Sequence, residues 1–199
     1  MTVSAHTERH PVDVNEFPYT VADLAAMPSE LPTGTRCYEL DNGRLISMAP
    51  PGDLHGAVEL SIAAQLKFQG DLRGFGKARS GEVGIILWRN PDRVVGADAV
   101  FIANASLPIR RSPEGYLETV PDLVVEVVSK NDTRPYVSQK VSDYLSAGVK
   151  VVWVADPPSR TVTEYRPSAE LVTFHAEDVL TLEDLIPGFQ MQVADAFEE

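Results

Sequence analysis

Two acidic residues interrupt strand-like apolar runs, and these residues have the clearest chemical meaning in the sequence. Glu126 stands in the middle of LVVEVV, and Asp98 interrupts VVGADAVFI. A buried carboxylate is costly unless it is paired, protonated or bound to a cation. Two such acids on neighbouring strands repel each other unless a divalent cation lies between them. Because hard oxygen ligands suit Mg²⁺ or Mn²⁺, the pattern predicts a metal site at Asp98 and Glu126. A Glu126 that faces solvent or pairs with an arginine is the alternative.

Lys140 is the candidate cationic group of this site. It lies on a predicted helix, beside the apolar stripe that includes Val137 and Val141. A lysine near a metal site can orient or activate a water, or offset charge on a phosphate. The spacing is equally typical of a surface lysine whose stem covers apolar neighbours.

Three further polar residues have weaker signals. Strand alternation places Glu39 opposite Tyr38 and Leu40, so its side chain can point into a cleft or to solvent. His55, at the start of a predicted helix, is a secondary candidate for a phosphate or base contact, although helix-start histidines more often cap backbone groups. Glu82 precedes the apolar run VGIIL, and its position near the start of a strand explains it.

The elements that must position these residues follow from apolar periodicity and turn signals. Asn42-Gly43 indicates a tight hairpin turn between strands that flank it. The other predicted elements are a short capped helix from Thr20, helices at 54–69 and 133–147, and strands at 83–88, 94–102, 123–129, 149–155 and 161–165. A helical crossover between two of these strands implies that they are parallel. The fold class is therefore α/β, with a mixed sheet flanked by helices.

Length and composition predict a cytoplasmic protein with one domain. The chain has 199 residues, a single cysteine (Cys37), no apolar leader and no run long enough to span a membrane. Residues 1–16 are predicted to be a flexible arm, and residues 17–199 a single domain. Its acidic C-terminal segment is expected to form a short strand or helix over one end of the domain.

The charge distribution bears on nucleic-acid binding, which depends mainly on Lys and Arg. The net charge is −12, but residues 1–35 contribute −4 and residues 167–199 contribute −8. The stretch between them is neutral, so a local positive face is compatible with an acidic protein. The basic residues that could form it are Lys67, Arg73, Lys77, Arg79, Arg89 and Arg93. An ordinary solvated surface is the other interpretation.

Several stretches of the sequence together resemble the PD-(D/E)XK nuclease superfamily and, within it, the Uma-type putative restriction endonuclease family. The resemblance is carried by Tyr38–Leu45, His55 after Pro50-Pro51, Ala97–Val100, Pro121–Ser129, Lys140, Tyr144, and the stretches Ala147–Val149 and Trp153–Pro157. It implies a restriction-endonuclease-like αβββαβ core, here preceded by a helix and a hairpin. It also implies a metal held by Asp98, Glu126 and a main-chain carbonyl near Val127, with Glu39 as a further acidic member.

Two departures from the superfamily pattern concern the site. Ala97 stands where the superfamily usually has proline, which is a backbone feature rather than a chemical one. Val128 stands where the superfamily usually has lysine, and the Uma-type family instead draws its lysine from the next helix, at Lys140.

The leading hypothesis is an endonuclease that hydrolyses DNA phosphodiester bonds with Mg²⁺ or Mn²⁺. Asp98 and Glu126 would bind the metal, and Lys140 would help to place the attacking water. One alternative is a catalytically inactive nuclease-fold module that serves as a DNA- or protein-interaction scaffold. Another is a hydrolase of a small phosphorylated molecule. A homodimer is suggested by fold-level analogy alone.

Overall fold

The computed structural model describes residues 18–28, 30–31, 34–35, 37–48 and 50–198. The predicted flexible arm, residues 1–16, lies outside the described residues. Within these residues there are three α-helices: α1, Val21–Ala25; α2, Asp53–Gln65; and α3, Arg134–Ala147. The second helix continues as a π-helical segment, Leu66–Asp71, and short 3₁₀ turns follow at Asn104–Ser106 and Val193–Ala196.

The strands are of very unequal length, and the two longest form the centre of the fold. In chain order they are β1 Glu30–Leu31, β2 Gly34–Thr35, β3 Cys37–Asp41, β4 Arg44–Met48, β5 Gly76–Trp88, β6 Arg93–Ala103, β7 Leu123–Val127, β8 Val151–Asp156, β9 Thr161–Tyr165, β10 Val172–Phe174, β11 Val179–Thr181 and β12 Gln190–Gln192.

Eight of these strands form one mixed sheet in the order β10-β9-β8-β7-β6-β3-β4, with β5 on the other edge of β6. The crossover through α3 makes β7 and β8 parallel, as predicted from the sequence, and the other pairs are antiparallel. The core order α2-β5-β6-β7-α3-β8 is the expected αβββαβ arrangement.

The sheet forks beside β6. Strand β5 pairs with one edge of β6 along almost its whole length. The opposite edge is shared, because β3 pairs with it at Val94 and β7 pairs with it at 99–101. Among the described residues, 95–98 therefore have no strand partner on that edge. Backbone groups in such a gap need side-chain partners.

Local sequence signals explain where the positioning elements begin and end. Thr20 and Asp23 form the predicted capping box of α1. Asn42 and Gly43 have φ of 50° and 79°, the left-handed turn that the β3–β4 hairpin requires. Gly148 ends α3 with φ of 105°. The hairpin thus carries Glu39 to the fork, and α3 carries Lys140 over it.

The two faces of the sheet bury separate apolar clusters. One face packs against Val58 and Ile62 of α2 and Leu66 of the π-helical segment, and the other against Val141 and Tyr144 of α3. Along β6 the alternation slips by one residue at Asp98, since Ala97 belongs to the α3 cluster and Ala99 to the α2 cluster. A regular strand would place these two side chains on the same face. Across the described residues, no helix has both the length and the apolar character needed to cross a membrane.

The acidic C-terminal segment forms strands β11 and β12 and the final 3₁₀ turn, in line with the prediction of short elements there. It also does more than cover one end. Its apolar residues are buried in the α2 cluster, namely Leu180, Leu182, Ile186, Phe189, Met191 and Val193. The segment is thus acidic on its surface and part of the core beneath.

Candidate active site at the fork of the sheet

Lys140 occupies the α3 side of the fork and is 5% exposed. Its Nζ lies 2.7 Å from Oε2 of Glu126 and 3.3 Å from Oε1 of Glu39. It also donates to the carbonyl oxygen of Gly96 at 2.9 Å. The ammonium group is therefore held by one hydrogen bond and two ion pairs. Lys140 is a buried member of the cluster, and the surface-lysine interpretation is wrong.

Glu39 and Glu126 are held from α3 as well. Tyr136 donates to Oε2 of Glu39 at 2.9 Å, and Tyr144 donates to Oε1 of Glu126 at 2.6 Å. Oε1 of Glu39 also accepts the backbone N–H of Gly96 at 2.9 Å. The side chains of Glu39 and Lys140 thus satisfy the N–H and the C=O of Gly96, within the segment that the fork leaves without a strand partner.

On the α3 side of the fork, burial is the largest single influence on the pKa of Glu126 and on the pKa of Lys140. It raises the pKa of Glu126 to about 8, against the opposing effect of Lys140 and with a smaller contribution from Asp98. Burial would lower the pKa of Lys140, but Glu126 and Glu39 outweigh it and hold this pKa well above its ordinary value. Lys140 therefore stays cationic, and its charge is committed to the two glutamates.

A second buried cation, Arg93, extends the network away from the fork. Its Nε lies 2.8 Å from Oδ2 of Asp143, and its Nη1 lies 3.6 Å from Oε2 of Glu39. Nη1 also donates to the carbonyl oxygen of Leu40 at 2.9 Å. Arg93 is 1% exposed, so its charge depends on these partners. The Arg93 guanidinium, on β6, therefore contacts both β3 and α3 and lies next to Glu39.

Asp98 lies on the α2 side of the fork. Its Oδ2 accepts the backbone N–H of Val127 at 2.6 Å and lies 3.3 Å from Nε2 of His55. The contact with Val127 bridges β6 and β7 beyond the point where their ladder ends. Glu126, the residue before Val127 on β7, contacts Lys140 and Tyr144 instead. Asp98 and Glu126 therefore lie on adjacent strands but have different partners.

His55, Glu59 and Asp98 form a group with the donor set of a cation site. One potential ligand atom from each lies within 4.8 Å of the others. His55 is 8% exposed, and its Nδ1 has no hydrogen-bond partner among the described residues. Burial lowers the pKa of His55, but the hydrogen bond with Asp98 and the negative charges of Asp98, Glu59 and Glu82 together outweigh burial and raise this pKa. One imidazole nitrogen and two carboxylates suit a divalent cation, so the residues present fit the metal that the resemblance implies.

Glu82 is a fourth acidic residue on this side. It lies in a bulge of β5, where Ser80 pairs with Ala99 and Val83 pairs with Ala97, so that Gly81 and Glu82 lie opposite Asp98 alone. Burial, followed by the charge of Asp98, raises the pKa of Glu82 to about 7. Since β5 begins at Gly76, Glu82 is inside the strand and not near its start as interpreted from the sequence.

The structure thus brings Asp98, Glu126, Lys140, Glu39 and His55 together at one fork, with Val127 beside them through its N–H. Sequence reasoning missed Glu59 and Arg93 as site residues, and it explained Glu82 by its position near the start of a strand. Glu59 had a usable signal, because it follows His55 by four residues and so shares its helix face. Arg93 had none, because a buried ion pair depends on elements that are distant in sequence. Glu82 had the signal of an acid in an apolar run, but the bulge that turns it toward the site depends on pairing with a neighbouring strand.

The predicted positive face is only partly realised. Lys67 and Lys77 both pair with the buried Asp71, at 2.7 and 3.1 Å. The guanidinium of Arg73 lies over the ring of Phe75. Arg79 donates to the carbonyl oxygen of Ala78 at 2.6 Å, so all four of these basic side chains have local partners. Arg89 pairs with Glu118, and Arg93 is buried.

Comparison with solved structures gives the class of the fold. A crystal structure described as a putative nuclease belonging to DUF820 from Anabaena variabilis ATCC 29413 matches with a TM-score of 0.72. The match covers 90% of this chain and 98% of that chain, at 19% sequence identity. The fold is therefore that of the restriction-endonuclease-like nucleases, as expected. Residues 21–194 also match the model of a family described as Uma2, putative restriction endonuclease. The chain belongs to the Uma2 family. A search of curated proteins found no match.

Proposed function

We propose that this chain is a divalent-cation-dependent endonuclease that hydrolyses phosphodiester bonds of DNA. The observation that carries the proposal is the buried Lys140 at the fork, 2.7 Å from Glu126, with Asp98 on the strand adjacent to that of Glu126. Family membership supplies the nuclease class. The fork supplies the acidic and cationic groups that phosphoryl-transfer chemistry needs.

The residues that would hold the cation are Asp98, His55 and Glu59, with Glu126 and the main chain of Val127 adjacent. A bound Mg²⁺ or Mn²⁺ would lower the pKa of a water and offset negative charge on the phosphate. Lys140 keeps a positive charge at the fork and orients the Glu126 carboxylate. Tyr144 and Tyr136 fix the two glutamates, so that the acidic groups do not have to reorganise when substrate binds.

A non-catalytic nuclease-fold scaffold is the second candidate, and one observation favours it. The ammonium group of Lys140 is already engaged within the cluster, through its hydrogen bond to the Gly96 carbonyl and its ion pairs with Glu126 and Glu39. The residue two positions after Glu126 is Val128, so the strand itself offers no second lysine.

Cleavage of supercoiled plasmid DNA separates these candidates. We expect the purified chain to nick or linearise the plasmid with Mg²⁺ or Mn²⁺ and to leave it intact in excess EDTA. Parallel reactions with nucleotides and other small phosphate esters test the alternative of a small-molecule hydrolase. No cleavage of DNA under any of these metal conditions, by folded protein, would contradict the proposal.

Lys140→Gln should lower the rate of plasmid cleavage by about 100-fold, which is typical for loss of one positioned charge or donor at a transition state. Glutamine can still donate to the Gly96 carbonyl, so the variant is expected to fold. Initial nicking rates measure the effect. Lys150→Gln is the matched control, because Lys150 also pairs with a buried acid, Asp122, at 2.7 Å, but at the opposite end of the parallel strands. Equal rates for both variants would remove Lys140 from the mechanism.

A further inference from the structure

The bulge in β5 lies at the level of the candidate cation site. One extra residue is inserted opposite Asp98, while the pairing on both sides of the bulge is regular. Glu59, a member of the cation group, accepts the backbone N–H of Gly81 through Oε1 at 2.8 Å. This hydrogen bond of Glu59 therefore links the bulge to α2. Bulges next to active sites commonly serve to redirect a side chain.

The bulge holds Glu82 in a backbone conformation that glutamate rarely adopts. Gly81 has φ of 91°, as a bulge glycine can, but Glu82 follows with φ of 53°. A non-glycine residue in this region is strained and persists only where surrounding structure maintains it. A glycine or asparagine at position 82 would relieve this strain. Local stability therefore does not explain a glutamate here.

The Glu82 side chain reaches over β6 toward the fork. A Cβ atom placed on Gly96 would lie 2.6 Å from Oε2 of Glu82, so the carboxylate occupies the space that only a glycine leaves open. Asp98, Lys140, Glu39 and His55 all act on it electrostatically. Glu82 nevertheless accepts no hydrogen bond and forms no ion pair with the residues that the structure describes. Asp98, Glu39 and Glu126, in contrast, all have such partners.

We propose that Glu82 is a further ligand of the divalent cation, delivered to the site by the Gly81-Glu82 bulge. The inference rests on the proposed function, which places the cation beside Asp98, His55 and Glu59. Two observations point to a missing partner there: among the described residues, neither the carboxylate of Glu82 nor Nδ1 of the buried His55 has a hydrogen-bond partner. A cation bound to Glu82 and Asp98 would also neutralise two carboxylates that otherwise repel each other.

Isothermal titration with Mn²⁺ in the absence of DNA tests the inference on the full chain. Glu82→Gln should raise the Kd for Mn²⁺ at least about tenfold, as loss of a group that tunes a metal site does. Gly96→Ala should also weaken Mn²⁺ binding, because it displaces the Glu82 carboxylate without removing its charge. Glu170→Gln is the matched control, since it removes one exposed negative charge in the β9–β10 turn, and its Kd should equal that of the wild type. A wild-type Kd in Glu82→Gln would overturn the inference.

Thermal unfolding gives a second readout that reports on strain. Without metal, Glu82→Gly should raise Tm by about 2–4 °C, which corresponds to relief of about 1 kcal/mol in a chain of this size. Arg160→Gly, at φ of 52° in an exposed turn, is the control for relief of strain alone. At a fixed Mn²⁺ concentration, the wild type and Arg160→Gly should gain the same Tm increment, and Glu82→Gly a smaller one. An equal increment for Glu82→Gly would count against a ligand role.

The outcomes separate this inference from the proposed function. If the wild type binds Mn²⁺ through Glu82 but cleaves no DNA, the inference holds and the endonuclease proposal fails. If the wild type cleaves DNA with Mn²⁺ and Glu82→Gln binds Mn²⁺ normally, only the inference fails. A wild-type chain that binds no Mn²⁺ would overturn both.

Discussion

Asp98→Asn is expected to abolish metal-dependent cleavage, with a loss of at least about 1,000-fold in rate. A catalytic cation contributes several kcal/mol to the transition state, and each 1.4 kcal/mol is about tenfold in rate. Asparagine is nearly isosteric, and its carbonyl oxygen can still accept the Val127 N–H that Asp98 accepts at 2.6 Å. We therefore expect the variant to fold, with a free energy of unfolding within about 1 kcal/mol of the wild type. Plasmid cleavage and Mn²⁺ titration measure the two effects.

Asp122→Asn is a matched control for this experiment. Asp122 is buried and accepts a backbone N–H from the neighbouring strand, that of Ala103, at 2.7 Å. It lies at the other end of the sheet from the fork, where it pairs with Lys150. Its replacement should leave Mn²⁺ affinity and cleavage unchanged. Strong Mn²⁺ binding by Asp98→Asn would place the cation elsewhere and refute the site.

Arg93→Met should lower the free energy of unfolding by about 3–5 kcal/mol, because it leaves the buried Asp143 without its cation and Glu39 with Lys140 alone. The same change should reduce cleavage in the surviving folded fraction, since Glu39 loses the guanidinium behind it, 3.6 Å away. Urea unfolding followed by tryptophan fluorescence measures the first effect, because Trp153 is fully buried.

Arg166→Met provides the comparison for Arg93→Met. Arg166 also contacts two acids, Glu164 and Asp184, at 2.6 and 2.8 Å, but at the surface. Exposed ion pairs contribute only about 0–1 kcal/mol, so this variant should unfold close to the wild type. Adding Asp143→Asn to Arg93→Met should restore part of the stability, because it removes the buried negative charge that has lost its cation. Equal destabilisation by the two arginine variants would show that burial of the Arg93 network is unimportant.

Much of the fold was predictable because its signals are local. The Asn42-Gly43 turn, the capping box at Thr20 and the stop at Gly148 act within a few residues. The parallel pairing of β7 and β8 follows from the helix that connects them. The C-terminal segment was predicted less well. Its eight acidic residues suggest an exposed segment, and its apolar residues, such as Leu180 and Phe189, follow no regular period. These apolar residues are nevertheless buried in the core, through contacts with parts of the chain that are distant in sequence.

The acids that interrupt apolar runs, Glu126 and Asp98, were visible in the sequence alone, because a carboxylate in such a run demands an explanation wherever the strand lies. The sequence also placed Lys140 on the helix that follows, although the spacing left its direction open. Tertiary structure decided that Lys140 points into the fork, that Asp98 faces His55 and Glu59, and that Arg93 stands behind Glu39. It also decided that a bulge turns Glu82 toward the same place. The physical reason is that side-chain direction within one element depends on local alternation, whereas the meeting of side chains depends on register, bulges and gaps between strands that are distant in sequence.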